Sequence, residues 1–264
     1  MTQPPITTTP DRDERSQLRL RAEGLKLPGL LEHWDELSDE QFTQLAQWFA
    51  WEEHARRQRG LERRMGAAHL GSFKPISDFD WSWPTHCDKG GINELMNLEF
   101  IDSATNVIFV GPNGVGKSML AQNLAYRALL QGHSALFITA AKMLGDLTAL
   151  DGAAALQRRL RAYARPDVLV IDELGYLSYS DRHADLLFEI VNRRYEQKPI
   201  VMTTNRPFSE WGEVFPNAPC VVSIIDRLVH HSQIQSIDAE SYRMHEATQR
   251  ASKKQARKPR AKKS

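Results

Sequence analysis

The sequence has no hydrophobic run long enough to cross a membrane and very little cysteine. A membrane-spanning helix needs about 20 apolar residues in a row, and no stretch of these 264 residues approaches that length. The N-terminal residues MTQPPITTTPDRDER lack the apolar centre of a secretion signal. The two cysteines, Cys87 and Cys220, lie far apart and show no metal-ligand spacing. We therefore expect a cytoplasmic protein without membrane contact, whose two thiols are reduced.

Acidic residues are missing from the C-terminal end of the sequence. Residues 250–264 contain eight lysines or arginines and no acid, whereas the residues before them contain 26 basic and 33 acidic residues. The abundance of Lys, Arg, Ala and Pro in this tail is typical of a disordered segment. Such a tail could neutralise nucleic-acid phosphates or could only improve solubility, and the sequence favours neither use.

The most specific motif present is GPNGVGKS, residues 111–118, which fits the phosphate-loop pattern G-x-x-x-x-G-K-[ST]. The glycines let backbone N–H groups turn toward a polyphosphate, Lys117 supplies a cation for the β and γ phosphates, and Ser118 supplies a hydroxyl for Mg²⁺. A predicted strand precedes the motif, and a predicted helix follows with its N-terminus toward the phosphates. The sequence predicts a nucleotide site that includes Gly111, Pro112, Asn113, Gly114, Val115, Gly116, Lys117, Ser118 and Met119.

Two adjacent acids end a predicted buried strand about 55 residues after the phosphate loop. The strand's C-terminal end would present them at the ligand crevice of an open α/β sheet. Asp172 is placed to hold Mg²⁺ together with Ser118, and Glu173 is a candidate general base for an attacking water. The following Gly175 completes a D-x-x-G element of GTPases, but the guanine-selective N-K-x-D motif is absent. ATP is therefore the expected nucleotide.

Two further polar residues are candidates for catalysis. Asn205 ends the next predicted strand, where it would lie beside the γ-phosphate and orient water; the alternative is an Asn that only closes a turn. Arg227 lies on a predicted helix and is a candidate arginine finger that reaches the nucleotide of a neighbouring subunit. The alternative for Arg227 is an intramolecular salt bridge, for example with Asp226 or Asp238.

The spacing of apolar residues predicts helices first and alternating strands and helices afterwards. A capping box at Ser38 and Gln41 starts a long helix that Gly60 could interrupt. Residues 220–225 resemble a strand by propensity, but apolar spacing through Leu228 favours a helix. The expected strands are Asn106–Val110, Ala135–Thr139, Val168–Asp172, Ile200–Thr204 and Gln233–Ile237. They indicate an α/β fold with a parallel five-stranded sheet between helices.

The sequence is thereby divided into a disordered start, a helical N-terminal domain, a connector, an α/β domain and a basic tail. The expected ranges are residues 1–13, 14–70, 71–91, 92–249 and 250–264 respectively.

From Leu25 to Ala247 the sequence resembles the IstB-like AAA+ ATPases, helper proteins of IstA/IstB-type bacterial insertion sequences that are related to DnaC-type helicase loaders. The segments that carry the resemblance are Leu27–Leu30, Glu52 and Glu53 before Arg56, Arg63 and Arg64, Lys74 with Asp78–Asp80, Gly111–Ser118, Asp172–Leu177, Thr203–Phe208 with Trp211, Asp226–Leu228 with His230 and His231, and Glu240–Arg243.

The resemblance implies a small all-α N-terminal domain followed by an AAA+ P-loop NTPase base domain without a full C-terminal lid. It implies ATP and Mg²⁺ as cofactors, ATP-dependent homo-oligomerisation on double-stranded DNA, and delivery of an IstA-like transposase to its target. By motif match, Asp172 and Glu173 would be the acidic pair, Asn205 the sensor and Arg227 the finger. Arg243 could substitute for an arginine of the missing lid.

Five arginines near the end of the predicted long helix are the candidate DNA contacts. They are Arg56, Arg57, Arg59, Arg63 and Arg64. Guanidinium groups pair well with phosphate oxygens and would position DNA with little base selectivity. By the residues alone, a solvated basic face balanced by neighbouring glutamates is an equal alternative. The rivals for the whole protein are a replicative helicase loader and a non-catalytic scaffold that ATP switches.

Overall fold

A computed structural model of the protein describes residues 12–176, 179–215 and 218–248. The chain forms two compact units, Met1–Arg63 and Arg64–Ser264. Within the described ranges, none of the helices combines the length and the apolar character that a membrane span requires. The proposed basic tail and all but the last two residues of the proposed disordered start lie outside the described residues.

The first unit is helical, as the apolar spacing predicts. It contains α1 (Arg12–Gly24), α2 (Pro28–Glu32), a 3₁₀ turn (Trp34–Glu36) and most of α3 (Asp39–Ala68). Its core includes Leu18, Trp34, Phe42, Leu45 and Phe49, with the rings of Trp34 and Phe42 edge to face at 5.2 Å. Helix α1 begins at Arg12, two residues earlier than the expected domain limit.

The predicted capping box at the start of α3 is confirmed. The Ser38 backbone N–H donates to Gln41 Oε1 at 2.7 Å, and the Gln41 N–H donates to Ser38 Oγ at 3.4 Å. The predicted interruption at Gly60 is wrong, since α3 is continuous through it. A helical glycine costs about 1 kcal/mol relative to alanine, which a long helix of otherwise favourable residues can absorb.

The second unit is built around a six-stranded sheet with the order β1-β6-β2-β5-β4-β3. The strands are β1 (His86–Cys87), β2 (Asn106–Val110), β3 (Ala135–Thr139), β4 (Val168–Leu174), β5 (Ile200–Thr204) and β6 (Ser232–Asp238). The helices are α4 (Lys89–Leu95), α5 (Glu99–Asp102), α6 (Lys117–Leu130), α7 (Ala140–Thr148), α8 (Ala153–Ala164), α9 (Asp181–Arg194), α10 (Trp211–Val214) and α11 (Ala218–His230), and residues 242–248 are also helical.

The five expected strands all form and pair in parallel, but the sheet has a sixth strand that the sequence did not predict. Strand β1 pairs antiparallel with β6, through His86 opposite Asp238 and Cys87 opposite Ile237. A two-residue strand in a segment rich in Pro and Gly has no periodicity to detect. The connector is therefore attached to the sheet edge, and the sheet is mixed rather than purely parallel.

Residues 220–225 form part of α11 rather than a strand, as the wider spacing predicts. The buried residues of this helix, Val221, Ile224 and Leu228, recur at helical intervals and join the main core of the second unit. Helix α11 packs against α9. The apolar spacing thus outweighed the local preference of Val and Ile for strands.

Candidate functional site

The phosphate-loop motif connects β2 to α6 at the C-terminal edge of the sheet. Gly116 is the N-cap of α6, so the first turn of that helix starts with Lys117 and Ser118. Strand β5 lies between β2 and β4, which brings the ends of these three strands together. The predicted acids and Asn205 therefore lie at the same sheet edge as the phosphate loop.

The loop glycines at 114 and 116 are required by backbone conformation and by close packing. Their φ angles are +82° and +100°, a region that L side chains rarely adopt. A Cβ on Gly114 would lie 2.4 Å from Ser241 Oγ, and a Cβ on Gly116 would lie 2.6 Å from Phe79 Cε2. The loop is thus held between the connector and the segment after β6, which the motif alone does not reveal.

Lys117 is almost completely buried, and its ammonium group donates to the carbonyl oxygens of Gly111 and Pro112 at 2.7 and 2.6 Å. Burial lowers the pKa of Lys117 to about 8, while the negative charge of Asp172 acts in the opposite direction and Arg243 adds to the lowering. The lysine is therefore a desolvated cation close to the position that a phosphate would take.

Asp172 is buried at the end of β4 and accepts two hydrogen bonds on one oxygen. Ser118 Oγ donates to Asp172 Oδ1 at 2.8 Å, and Thr203 Oγ1 donates to the same atom at 2.5 Å. A serine hydroxyl and a carboxylate oxygen in contact are hard oxygen donors of the kind that Mg²⁺ prefers. The predicted pair of metal-binding residues, Ser118 and Asp172, is brought together by the fold.

Glu173 follows Asp172 but has a different environment. Its side chain is exposed and contributes to the wall of the nucleotide cavity. Its φ angle is +59°, at an irregularity in the pairing of β4 with β5 between Ile171 and Leu174. The Glu173 N–H donates to Thr203 Oγ1 at 2.9 Å. The strained backbone at Glu173 interrupts the regular strand. The side chains of Asp172 and Glu173 therefore have different positions, although the two residues are adjacent.

Asn205 also lines the cavity, directly after β5. Thr203 and Thr204, the last two residues of that strand, line the cavity as well. The sequence analysis did not single out Thr203, whose hydroxyl contacts both acids of the pair. In the sequence, Thr203 was marked only as part of the Thr203–Phe208 segment that resembles the IstB-like proteins.

The remaining wall of the cavity comes mainly from the connector and from the segment after β6. The cavity has a volume of about 320 Å³, and the described residues of these two segments that line it are Lys74, Asp78, Phe79, Asp80, Trp83, Pro84, Tyr242, Arg243 and Glu246. Arg243, for which the resemblance implied the role of a lid arginine, thus lies in the cavity wall. Trp83 Nε1 donates to the Glu240 carbonyl at 2.8 Å, and the Tyr242 N–H donates to the Gly114 carbonyl at 3.1 Å. The connector and the segment after β6 therefore enclose the site together.

This cavity fits a nucleoside triphosphate with a magnesium ion. Its volume is within the usual range of small-molecule sites, roughly 300–1,000 Å³. The cavity is lined by the phosphate loop with Lys117 and Ser118 and by aromatic side chains such as Phe79 and Trp83. A nucleotide requires both kinds of surface, because its phosphates are anionic and its base is aromatic.

Arg227 is placed away from these residues, on α11. Its guanidinium carbon lies 4.5 Å from the ring centre of Phe188 and 5.9 Å from that of Tyr195. Its Nη1 is buried and has no hydrogen-bond partner in the described part of the chain. Within the same part, no salt bridge joins it to Asp226 or Asp238. The salt bridge that the sequence left open as the alternative role of Arg227 is therefore not supported.

The five arginines of the candidate DNA surface have different partners. Arg56 Nε and Arg59 Nη2 both donate to Glu52 Oε1, at 2.6 and 3.3 Å. Arg57 and Arg63 are exposed. Within the second unit, Arg64 Nη2 donates to the Leu129 carbonyl at 3.2 Å, and its Nε is buried. Arg64 is therefore engaged in packing, which makes it the least suitable of the five for a phosphate contact.

The order of strands and the placement of the site define a P-loop nucleotide-binding protein of the AAA+ class. A profile of the family described as IstB-like ATP binding protein matches residues 20–250. The chain belongs to this family.

Individual relatives agree with this assignment. The chain is 38% identical over 188 residues to the ATP-binding protein of insertion sequence IS5376 from Geobacillus stearothermophilus, covering 71% of this chain and 75% of the relative. It is 37% identical over 211 residues to that of IS21 from Pseudomonas aeruginosa, covering 80% and 79%. A crystal structure of DnaI is 18% identical with a TM-score of 0.52, covering 64% of this chain and 92% of DnaI. The likeness to DnaI shows the fold alone.

Proposed function

We propose that this protein is an ATP-hydrolysing helper of transposition that assembles on double-stranded target DNA and recruits the transposase of its insertion sequence. The observation that carries the proposal is that Glu173 and Asn205 line the phosphate-loop cavity, while Asp172 accepts a hydrogen bond from Ser118 in the cavity wall. The names of the relatives, which are ATP-binding proteins of insertion sequences, support the transposition context.

The residues of the cavity divide the work of hydrolysis among them. Ser118 and Asp172 would hold Mg²⁺, which neutralises phosphate charge when it is bound. Glu173 lines the cavity and would accept a proton from an attacking water. Asn205 would orient that water from the adjacent strand. Lys117 would exchange its carbonyl partners for the β and γ phosphates.

Arg227 supports the assembly part of the proposal. Arg227 is not among the described residues that line the cavity of its own chain, and its side chain is partly exposed. An arginine finger that acts on a neighbouring subunit requires an arginine outside the nucleotide site of its own chain. ATP would then stabilise contacts between subunits, and hydrolysis would weaken them.

Arg56, Arg57, Arg59 and Arg63 would contact the phosphates of duplex DNA. The charges of Arg56 and Arg59 are partly balanced by Glu52, whose pKa is lowered by its hydrogen bond with Arg56. Arg57 and Arg63 are therefore expected to contribute most. Each phosphate contact adds about −0.9 to the slope of log affinity against log salt concentration.

The test of the proposed function is ATP-dependent assembly of Glu173→Gln on duplex DNA. This variant keeps the shape of the carboxylate but cannot accept a proton, so assembly with ATP and Mg²⁺ should persist while phosphate release stops. Sedimentation on a duplex measures the assembly. Glu189→Gln, which changes a half-exposed glutamate of α9 that pairs with Arg193, is the matched control and should behave as the wild type.

Two outcomes would contradict the proposal. Normal hydrolysis by Glu173→Gln would remove this residue from the mechanism. If the protein stays monomeric on duplex DNA in the presence of ATP, the proposed assembly does not occur. Stimulation by single-stranded rather than duplex DNA, together with binding to a hexameric helicase, would indicate a helicase loader instead.

A further inference from the structure

Two histidines and a glutamate converge on the surface of the second unit, outside the nucleotide cavity. His230 is the last residue of α11, His231 follows it, and Glu196 lies in the loop after α9. Their ligand atoms all lie within 4.8 Å of one another, and the three side chains are exposed. In the described part of the chain this is the one group of three potential metal ligands at such distances.

The backbone of both segments is fixed, so the convergence does not depend on flexible chain ends. The Asn106 N–H donates to the His231 carbonyl at 2.8 Å, and Asn106 Nδ2 donates to the Leu228 carbonyl at 3.1 Å. Asn106 is itself buried at the start of β2. On the other side, the Gln197 N–H donates to the Arg194 carbonyl at 2.9 Å. The backbone positions near the three ligand-bearing residues are thus held by hydrogen bonds.

The separations of the side-chain atoms agree with coordination of one ion. His231 Nε2 lies 3.5 Å and His230 Nδ1 lies 3.8 Å from Glu196 Oε1. Ligands bound tetrahedrally at 2.0–2.1 Å are about 3.3 Å apart. Small rotations of exposed side chains would close the difference. The three donors can therefore bind a common ion without a second carboxylate.

We infer that Glu196, His230 and His231 form a binding site for a divalent transition-metal ion, with Zn²⁺ as the best match. Imidazole nitrogen is a favoured ligand of Zn²⁺, Cu²⁺ and Ni²⁺, whereas Mg²⁺ and Ca²⁺ prefer oxygen ligands. This site is therefore chemically distinct from the oxygen pair at the phosphate loop. Three protein ligands leave the fourth position to water or to a group from a second molecule.

Tyr195 competes with the ion for His230. Its hydroxyl lies 2.8 Å from His230 Nδ1, and the two rings stack with centres 6.0 Å apart. Because Nδ1 is also the ring nitrogen that lies 3.8 Å from Glu196 Oε1, this hydrogen bond must be exchanged for the bond to the ion, which moderates the affinity.

The experiment is a calorimetric titration of the whole, tag-free chain with Zn²⁺ alone near neutral pH. We expect binding of one ion per chain that His230→Ala, His231→Ala and Glu196→Gln each weaken by at least about tenfold, since loss of even a supporting partner costs about 10–100-fold. His33→Ala is the matched control, because His33 is an exposed histidine that contacts one glutamate, Glu36, at 3.1 Å.

Metal selectivity gives a second measurement. Because imidazole nitrogen favours Zn²⁺ over Mg²⁺, an excess of Mg²⁺ should not compete for the site. Equal loss of affinity in His33→Ala, or unchanged Zn²⁺ binding in the three site variants, would overturn the inference. Absence of stoichiometric binding by the wild type would overturn it as well. Thermal unfolding of each variant shows whether it is folded.

Discussion

Thr203 is a buried residue at the end of β5 that connects both acids of the nucleotide site. It donates to Asp172 Oδ1 at 2.5 Å and accepts from the Glu173 N–H at 2.9 Å. One hydroxyl therefore fixes the carboxylate that would face the metal and the backbone that presents the base. A positioning residue of this kind never needs to touch the substrate itself.

We predict that Thr203→Val, which keeps the shape but removes the hydroxyl, lowers kcat by tenfold or more. Loss of one hydrogen bond to a charged group corresponds to about 1.5–3 kcal/mol, which is the physical reason. Nucleotide affinity in EDTA should stay within a few fold, whereas the gain in affinity on adding Mg²⁺ should shrink. Thr203→Ser keeps the hydroxyl and should restore most of both properties; failure of that rescue would point to a packing role.

The lowered pKa of Lys117 leads us to predict that the protein takes up protons when nucleotide binds. Burial lowers its pKa to about 8, so about half of the free protein carries the neutral amine at that pH. Phosphate charges favour the ammonium form and raise the pKa. Binding near pH 8 should therefore take up protons, and more near pH 9 than near pH 8. Calorimetry in buffers of different ionisation enthalpy measures this uptake, and a value near zero at both pH values would refute it.

At the scale of elements, Arg194 attaches the end of α9 to three neighbouring segments. Its guanidinium group is buried and donates to the carbonyl oxygens of Ala164, Pro166, Asp167 and Pro199 at 2.6–3.1 Å. Burial lowers the pKa of Arg194 to about 10. A planar group with several fixed donors is needed to satisfy four carbonyls at once.

We expect Arg194→Lys to reduce the free energy of unfolding by about 2–4 kcal/mol, because a lysine leaves some of these buried carbonyls without a donor. The adjacent Arg193→Lys is the control. Arg193 is partly exposed and pairs with Glu189 at 3.2 Å, so its replacement should cost less than about 1 kcal/mol. Urea unfolding of both variants gives the comparison, and equal losses would contradict this account.

Most elements of the second unit were predictable because each has a strong local signal. Strands β2, β3 and β5 have the predicted limits, and α11 was correctly preferred over a strand. Strand β1 was not predictable, since two residues have no period. The two-residue extension of β4 depends on the irregular pairing with β5 at Glu173, and this irregularity is a property of the pair of strands.

At the scale of the whole molecule, the nucleotide cavity combines residues from segments far apart in the chain. Lys74 and Glu246, which are both in its wall, form a salt bridge at 2.9 Å. Glu173 and Asn205, the residues proposed to act on water, line this cavity, whereas Arg227 is not among the described residues that line it. A complete set of catalytic residues would therefore need two copies of the chain. This expectation rests on the proposed function.

Mixing two inactive variants tests this requirement. Arg227→Ala retains a complete cavity, and Glu173→Gln retains Arg227 and is expected to assemble with ATP, so each should hydrolyse ATP at less than about 1% of the wild-type rate. For Arg227→Ala this follows from the loss of a finger worth about 10³-fold or more. A mixture of the two on duplex DNA should recover a substantial fraction of that rate. If the mixture stays inactive although each variant assembles, Arg227 does not act on a neighbouring subunit.

The sequence by itself determined the phosphate loop, the acidic pair, the parallel strands and the family, because each depends on residues close together in the chain. Tertiary structure alone decided the role of Thr203, the cavity wall formed by Trp83 and Tyr242, and the engagement of Arg64 with Leu129. These depend on contacts between residues distant in sequence. Spacing along a chain reports which face of its own element a side chain occupies, and it carries no information about what another element places opposite that face.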